Sequence, residues 1–248
     1  KNVRWLDVFG CVFHDGDVAI ADGVVVGTEP GLRGKREIDA KGAHLVPGFI
    51  DAHVHLESSL LVPESFQRAV LPRGTTTAVC DPHELANVLG VPGIQFFLDA
   101  AERLKGGLDL RVMVSSCVPA TDFDTAGASL FASDMYPFLR EPRVLGLGEV
   151  MNYPGILFKD QKLLDKIALF RDAGKPVDGH APGLSGKDLS AYVAAGIGSD
   201  HECTKPEEAL EKLGKGMYIM LREGSTAKDI RKLLPAVNSR NASRFLIC

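Results

Sequence analysis

The chain has 248 residues, 45% hydrophobic and 24% charged, with a formal net charge of -4. That balance belongs to a globular protein able to bury one large core, and it excludes disordered and fibrous classes. Lys and Arg are scattered, no apolar run approaches the roughly 20 residues of a membrane span, and Lys1-Asn2-Val3-Arg4 opens no signal peptide, so a cytoplasmic protein with no nucleic-acid or membrane partner is expected.

Residues 1–46 are Gly-rich and alternate in polarity: Gly16-Asp-Val-Ala-Ile20, Gly23-Val-Val-Val26 and Glu37-Ile38-Asp39, with turn residues between. The pattern predicts a partial small β-sheet domain, a piece of a small β-sandwich. Residues 47–248 change rhythm to a short apolar strand, a polar loop and a helix-length segment, repeated. Strands are predicted over Phe49 to His55, Thr75 to Asp81, Leu110 to Cys117, Val144 to Val150, Pro176 to His180, Gly196 to His201, Met217 to Arg222 and Arg244 to Cys248. Amphipathic segments between them include Leu85 to Leu104, Asp160 to Ala173, Lys187 to Ala195, Pro206 to Leu213 and Thr226 to Leu234. Alternation of this kind predicts an α/β fold with a parallel sheet, and eight units predict a (β/α)8 TIM-like barrel. The eighth strand coincides with the last residues, so a barrel truncated at its C-terminus after strand eight is expected.

In such a barrel the site lies at the C-terminal ends of the strands. His53 and His55 end the first strand, two residues apart and therefore facing one way. Glu149 ends the fourth, His180 the fifth and His201 the sixth, so four of the chain's seven histidines converge on one rim. Four imidazoles and a carboxylate exceed what one catalytic zinc needs and suit two divalent metals bridged by the carboxylate. Each could also be a histidine that merely ties a loop to a carbonyl.

Asp81-Pro-His83-Glu84 ends the second strand and is a second polar group on the rim. These residues could supply a ligand, a proton shuttle or substrate contacts, or they could cap the helix that follows. Arg222 and Glu223, after the seventh strand, could read a substrate or pair with neighbours, and Ser225 looks like an N-cap. Glu57 and Asp200 are expected to orient imidazoles, although Asp200 could face away from its neighbour on the strand. His14 and His44 fall in the small sheet region and are expected to be ordinary surface or packing residues. Five separated cysteines without a Cys-x-x-Cys pair predict reduced thiols. Dinucleotide, phosphate-loop, nucleophile-elbow, His-Glu-x-x-His and Pro-Cys-x-x-Cys signatures are absent from the sequence.

His-Val-His55 with His180 and His201 resembles the metal-dependent amidohydrolase superfamily. More narrowly, HVHLESS, DPHELANVLG, GEVMNYPG, DGHAPGLSG, GIGSDHE and GMYIMLREGS together resemble the adenine deaminases of bacteria and archaea, over about residue 7 to the end. The resemblance implies hydrolysis of adenine to hypoxanthine and ammonia at two divalent ions, manganese or iron, with zinc as a further option. It makes His53, His55, His180 and His201 ligands and Glu149 the bridging carboxylate. Glu149, His83 and Glu84 then form the catalytic set, and Arg222, Glu223 and Asp81 the substrate contacts. Related dihydroorotase-like and hydantoinase-like enzymes bridge their metals with a carboxylated lysine, and no lysine lies between Val144 and Asn152. The resemblance also implies a proton-carrying aspartate after Cys248, so the fragment alone is expected to be inactive. A homodimer is compatible with the incomplete small sheet. A different cyclic amidohydrolase and a non-catalytic purine-binding barrel are the alternatives.

Overall fold

The computed structural model describes residues 1–104, 106–121 and 123–248. The chain forms two compact units, Lys1–Gly48 and Phe49–Cys248.

The first unit holds β1 (Val3–Asp7), β2 (Val12–Gly16), β3 (Ala19–Ala21), β4 (Val24–Gly27) and β5 (His44–Leu45). Strand β1 pairs antiparallel with β2 and parallel with β5, and β3 and β4 form a separate antiparallel pair. His14 stacks on Trp5 with ring centres 4.7 Å apart, and His44 meets Phe13 edge-on at 5.3 Å. Both are packing residues within this unit.

The second unit contains β6 (Phe49–Val54), β7 (Thr75–Cys80), β8 (Asp109–Val114), β9 (Val144–Val150), β10 (Val177–Gly179), β11 (Ser199–Asp200), β12 (Tyr218–Leu221) and β13 (Phe245–Ile247). All ladders in it are parallel. They run β10-β9-β8-β7-β6 in one sheet and β11-β12-β13 in another. Each strand's neighbour is therefore the next in the chain, joined by a helical crossover, the order that local connections favour. The sheets meet at β10 and β11, where Gly198 N–H donates to the Val177 carbonyl at 3.0 Å, an ordinary hydrogen-bond distance. At the other edge β13 lies beside β6.

Strand β9 spans the predicted residues, whereas β10 and β11 are shorter than predicted because their flanking residues turn into loops after two or three ladder positions. The helix expected over Leu85 to Leu104 is two, His83–Leu89 and Val91–Arg103. Gly90, at φ 66°, breaks it, and Pro92 sits in the first turn of the helix that follows, where its missing N–H has no intrahelical partner to lose. Helices Gln161–Asp172, Gly186–Ala194 and Pro206–Gly214 lie close to expectation. The segment 226–234 is helical only over Ile230–Leu233, after an isolated bridge between Glu223 and Lys228 uses the preceding residues. The main core joins strand residues such as Leu110, Val112 and Leu147 to helix residues such as Phe97, Ile167 and Phe170.

Candidate metal centre

Glu149 is the focus of the site. It ends β9, is 2% exposed, and is braced before any ligand is considered. Its backbone N–H donates to Asp81 Oδ2 at 2.9 Å, and its carbonyl accepts from Ser116 Oγ at 2.6 Å. Asp81 also accepts from Ser115 Oγ at 2.9 Å, so one fully buried carboxylate ties β7, β8 and β9 together at their C-terminal ends. Gly148 permits this: a Cβ there would stand 2.3 Å from Asp81 Oδ2.

Four imidazoles surround the Glu149 carboxylate. Oε1 lies 3.1 Å from His55 Nε2 and 2.8 Å from His83 Nδ1, while Oε2 lies 2.7 Å from His180 Nδ1 and 2.9 Å from His201 Nε2. Burial alone would raise the pKa of Glu149. The four imidazoles outweigh it and hold the carboxyl well below its ordinary range. Reciprocally, burial pulls the imidazoles down while Glu149 pushes them up. The net shift is upward for His83, His180 and His201, and reaches about 10 for His55.

His53 belongs to the same cluster through its neighbours. Its Nε2 is 3.2 Å from His55 Nε2, and its ring stacks on His201 with centres 3.9 Å apart. The other nitrogen of each strand-one histidine is fixed: His53 Nδ1 lies 3.0 Å from Asp178 Oδ2, and His55 Nδ1 donates to the Asp81 carbonyl at 2.9 Å. With both Nδ1 atoms donating, the neutral form of each ring, once the proton facing Glu149 has left His55, presents Nε2 as a lone-pair donor, the arrangement of metal-binding histidines with their outer partners. His201 Nδ1 is buried without a hydrogen bond, 3.9 Å from Asp178 Oδ2. Three ligand groups, His53-His55-Glu149, Glu149-His180-His201 and Asp81-His83-Glu149, share the carboxylate, and a fourth joins His53, Asp178 and His201. The donor set therefore fits divalent metal.

Other predicted residues take different positions. Glu84 accepts from Ser58 Oγ at the edge of the cluster. Asp81, expected at the substrate, has both oxygens engaged by the chain and acts as the brace for Glu149. Arg222 binds Glu202 and, at 2.8 Å, Asp229, so it reaches the imidazoles only through Glu202. Glu223 is exposed, and its backbone N–H donates to the Cys248 carbonyl at 2.9 Å. Ser225 is exposed and caps no helix; Asp229 stands at the cap position instead. Glu57 accepts from Leu85 N–H rather than an imidazole. Asp200 faces the wall and accepts from Ala181 N–H, Glu202 N–H and Lys212 Nζ.

Sequence reasoning missed Asp178 and Glu202. Asp178 is 3% exposed and holds His53, with its other oxygen accepting from Ser199 Oγ at 2.6 Å. Burial pushes its pKa up, but the His53 hydrogen bond and charge win and lower it. The signal was Asp178-Gly-His180, whose alternate residues share a strand face. Glu202 Oε1 lies 3.7 Å from His180 Nδ1 and 3.6 Å from His201 Nε2.

Residues 44–242 match the amidohydrolase family. Over 248 residues the chain is 51% identical to the adenine deaminase of Brucella suis biovar 1 (strain 1330), covering 100% of this chain and 42% of that protein. It is 52% identical over 248 residues to the adenine deaminase of Cereibacter sphaeroides (strain ATCC 17025 / ATH 2.4.3), 100% and 43% covered, and 48% over 247 residues to that of Ligilactobacillus salivarius (strain UCC118), 100% and 42% covered. The chain thus spans about two fifths of the length of the curated relatives it matches. Among solved structures, N-acetylglucosamine-6-phosphate deacetylase from Thermotoga maritima superposes with a TM-score of 0.63 at 17% identity, covering 97% of this chain and 68% of the other. The Mycobacterium smegmatis enzyme of similar name gives 0.59 at 18% identity, covering 98% and 74%. These structural likenesses concern the fold.

Proposed function

We propose that this chain, which belongs to the amidohydrolase family, carries the metal-binding part of an adenine deaminase. The observation that carries the reading is the Glu149 carboxylate with two imidazoles at each oxygen, on a sequence about half identical to adenine deaminases throughout. The two parallel sheets are read as one (β/α)8 barrel, residues 47–248, and residues 1–46 as part of a small β-sandwich. A cytoplasmic enzyme, working as a homodimer, accords with this reading.

His53, His55, His180 and His201 would hold two divalent ions, manganese or iron, with Glu149 shared between them. Bound there, such ions supply Lewis-acid activation of water. The remaining work belongs to the chain. Asp178 and the Asp81 carbonyl hold the tautomers of His53 and His55, and Asp81 with Ser116 fixes the backbone of Glu149. In the net reaction water oxygen bonds to C6 of adenine and the C6–N bond breaks. One water proton ends on ring N1 and the other leaves with ammonia. His83, whose Nδ1 lies 2.8 Å from Glu149 Oε1, and Glu84 are the rim groups suited to holding a proton in transit. Arg222 orients Glu202 toward the substrate space, with Glu223 beyond it.

Ammonia release measured on adenine, adenosine, guanine, cytosine and dihydroorotate tests the substrate, with elemental analysis alongside. In a full-length protein that contains this chain, turnover of adenine alone, with about two metal ions per chain, is the expected result, whereas the 248-residue chain by itself should release no ammonia. Glu149→Ala should lose both the metal and the activity. Full metal occupancy in Glu149→Ala would overturn the ligand assignment, and a wild-type chain without metal would favour a binding module.

A further inference from the structure

Away from the metal cluster, Lys166 presents an unusual problem of charge. It lies on the inner face of helix Gln161–Asp172 and is 7% exposed. Its Nζ donates to the Ser116 carbonyl at 2.8 Å, and among the described residues no carboxylate forms an ion pair with it. The other buried ammonium, Lys212, is met by Asp200 at 2.9 Å and Glu208 at 2.7 Å. Asp160 and Asp134 act on it only through space, so the ammonium is removed from water without a bonded counter-charge, which is costly, and it has two N–H groups beyond the one the carbonyl accepts.

Lys166 lines a cavity of about 180 Å³ bounded by the loop after β8 and the start of its own helix. Lys162, one turn earlier, lines the same cavity, as do Thr121, Ser129 and Asn152. Asp160 also borders it, but that carboxylate is turned to the helix end, accepting from Lys162 N–H at 3.0 Å. Cys117 is at the wall, and burial pushes its thiol up, so it supplies no thiolate to balance the lysine. Burial likewise pulls Lys166 down, the direction an anion beside it would reverse.

We infer that this cavity is a binding site for a small oxyanion, a phosphate or a carboxylate, held by Lys166 and Lys162. It is separate from the metal ligands, although Ser116 links them: its carbonyl accepts from Lys166 and its hydroxyl donates to the Glu149 carbonyl. Anion binding would therefore stiffen the loop that braces Glu149.

The test is thermal unfolding of the chain, with chelator present, in inorganic phosphate, acetate and chloride at matched ionic strength. Phosphate or acetate should raise Tm saturably, by roughly 5–10 °C at about 100 times Kd, and chloride should not. The stronger of the two responses identifies a phosphate or a carboxylate as the ligand class. Lys166→Met removes the charge while keeping the length, and should abolish the rise. Ser129→Trp, at an exposed position on the lining, should abolish it by blocking entry without touching the core. An equal effect of all three anions, or a response retained in either folded variant, would overturn the site.

Discussion

Two clusters in the second unit have the composition of metal sites, and they differ in where their compensating charge comes from. Around Glu149 the balance is supplied by imidazoles, which can exchange a proton for a metal. In the Asp200-Cys203-Glu208 group it is supplied by Lys212, fully buried, whose Nζ also donates to the Ala181 carbonyl at 2.7 Å. The first is a site open to a cation. The second is already closed by one from the chain itself, and it serves as a strut between the loops bearing His180 and His201. Ligand-type residues in proximity are thus insufficient; what matters is whether the chain's own charge can leave.

The strut is the sharper test of that contrast. Lys212→Met leaves the acidic pair buried without its cation, and should lower stability by about 3–5 kcal/mol in denaturant unfolding. A loss below about 1 kcal/mol would show that the lysine is not the closing charge. The open site should respond to pH instead. In metal-free protein the raised imidazoles contribute stability that is complete below their unfolded value near 6.5, and is lost as pH rises through their folded values, about 10 for His55. Metal must displace those protons, so its affinity moves oppositely. Between pH 6 and 8 it should rise about tenfold per pH unit for each proton displaced, with proton release detectable by calorimetry in two buffers. A pH-independent affinity would break the comparison.

Smaller effects test the supports. Asp178→Asn should weaken metal binding by about 10–100-fold in a competition titration while the fold persists. Tyr192, fully buried, accepts from His180 N–H at 2.9 Å and donates to the Val150 carbonyl at 2.8 Å. Tyr192→Phe should therefore cost about 1–2 kcal/mol of stability and loosen the His180 and Glu149 strand ends together. Unchanged unfolding would mean that water replaces the hydroxyl.

The parallel α/β pattern was legible because buried strands such as Val144–Val150 are mostly apolar runs that carry their charged residue only near the C-terminal end, as Glu149 does. His53, His55, His180 and His201 were legible for a related reason, since polar residues ending such runs fall on one rim. What escaped was the identity of each histidine's partner. Glu57 and Asp200 stand near the rim histidines in sequence, yet Leu85 N–H takes one and Lys212 the other, and Asp178 comes from a different strand to hold His53. Those choices depend on side-chain direction after the sheet has curled, which spacing alone does not encode. The helix expected from Thr226 starts only at Ile230 for a similar reason, because Glu223 and Lys228 pair across the intervening loop.

The junction between β10 and β11 gives the metal cluster a mechanical meaning. His180 follows the last strand of one sheet and His201 the first strand of the other, and both reach Glu149. A cation held by that pair would act as a stitch across a seam, so that separating the sheets would require breaking coordination bonds. Amides near Val177 and Gly198 would then exchange with solvent more slowly as metal is added, because bound metal would reinforce the boundary between the two sheets.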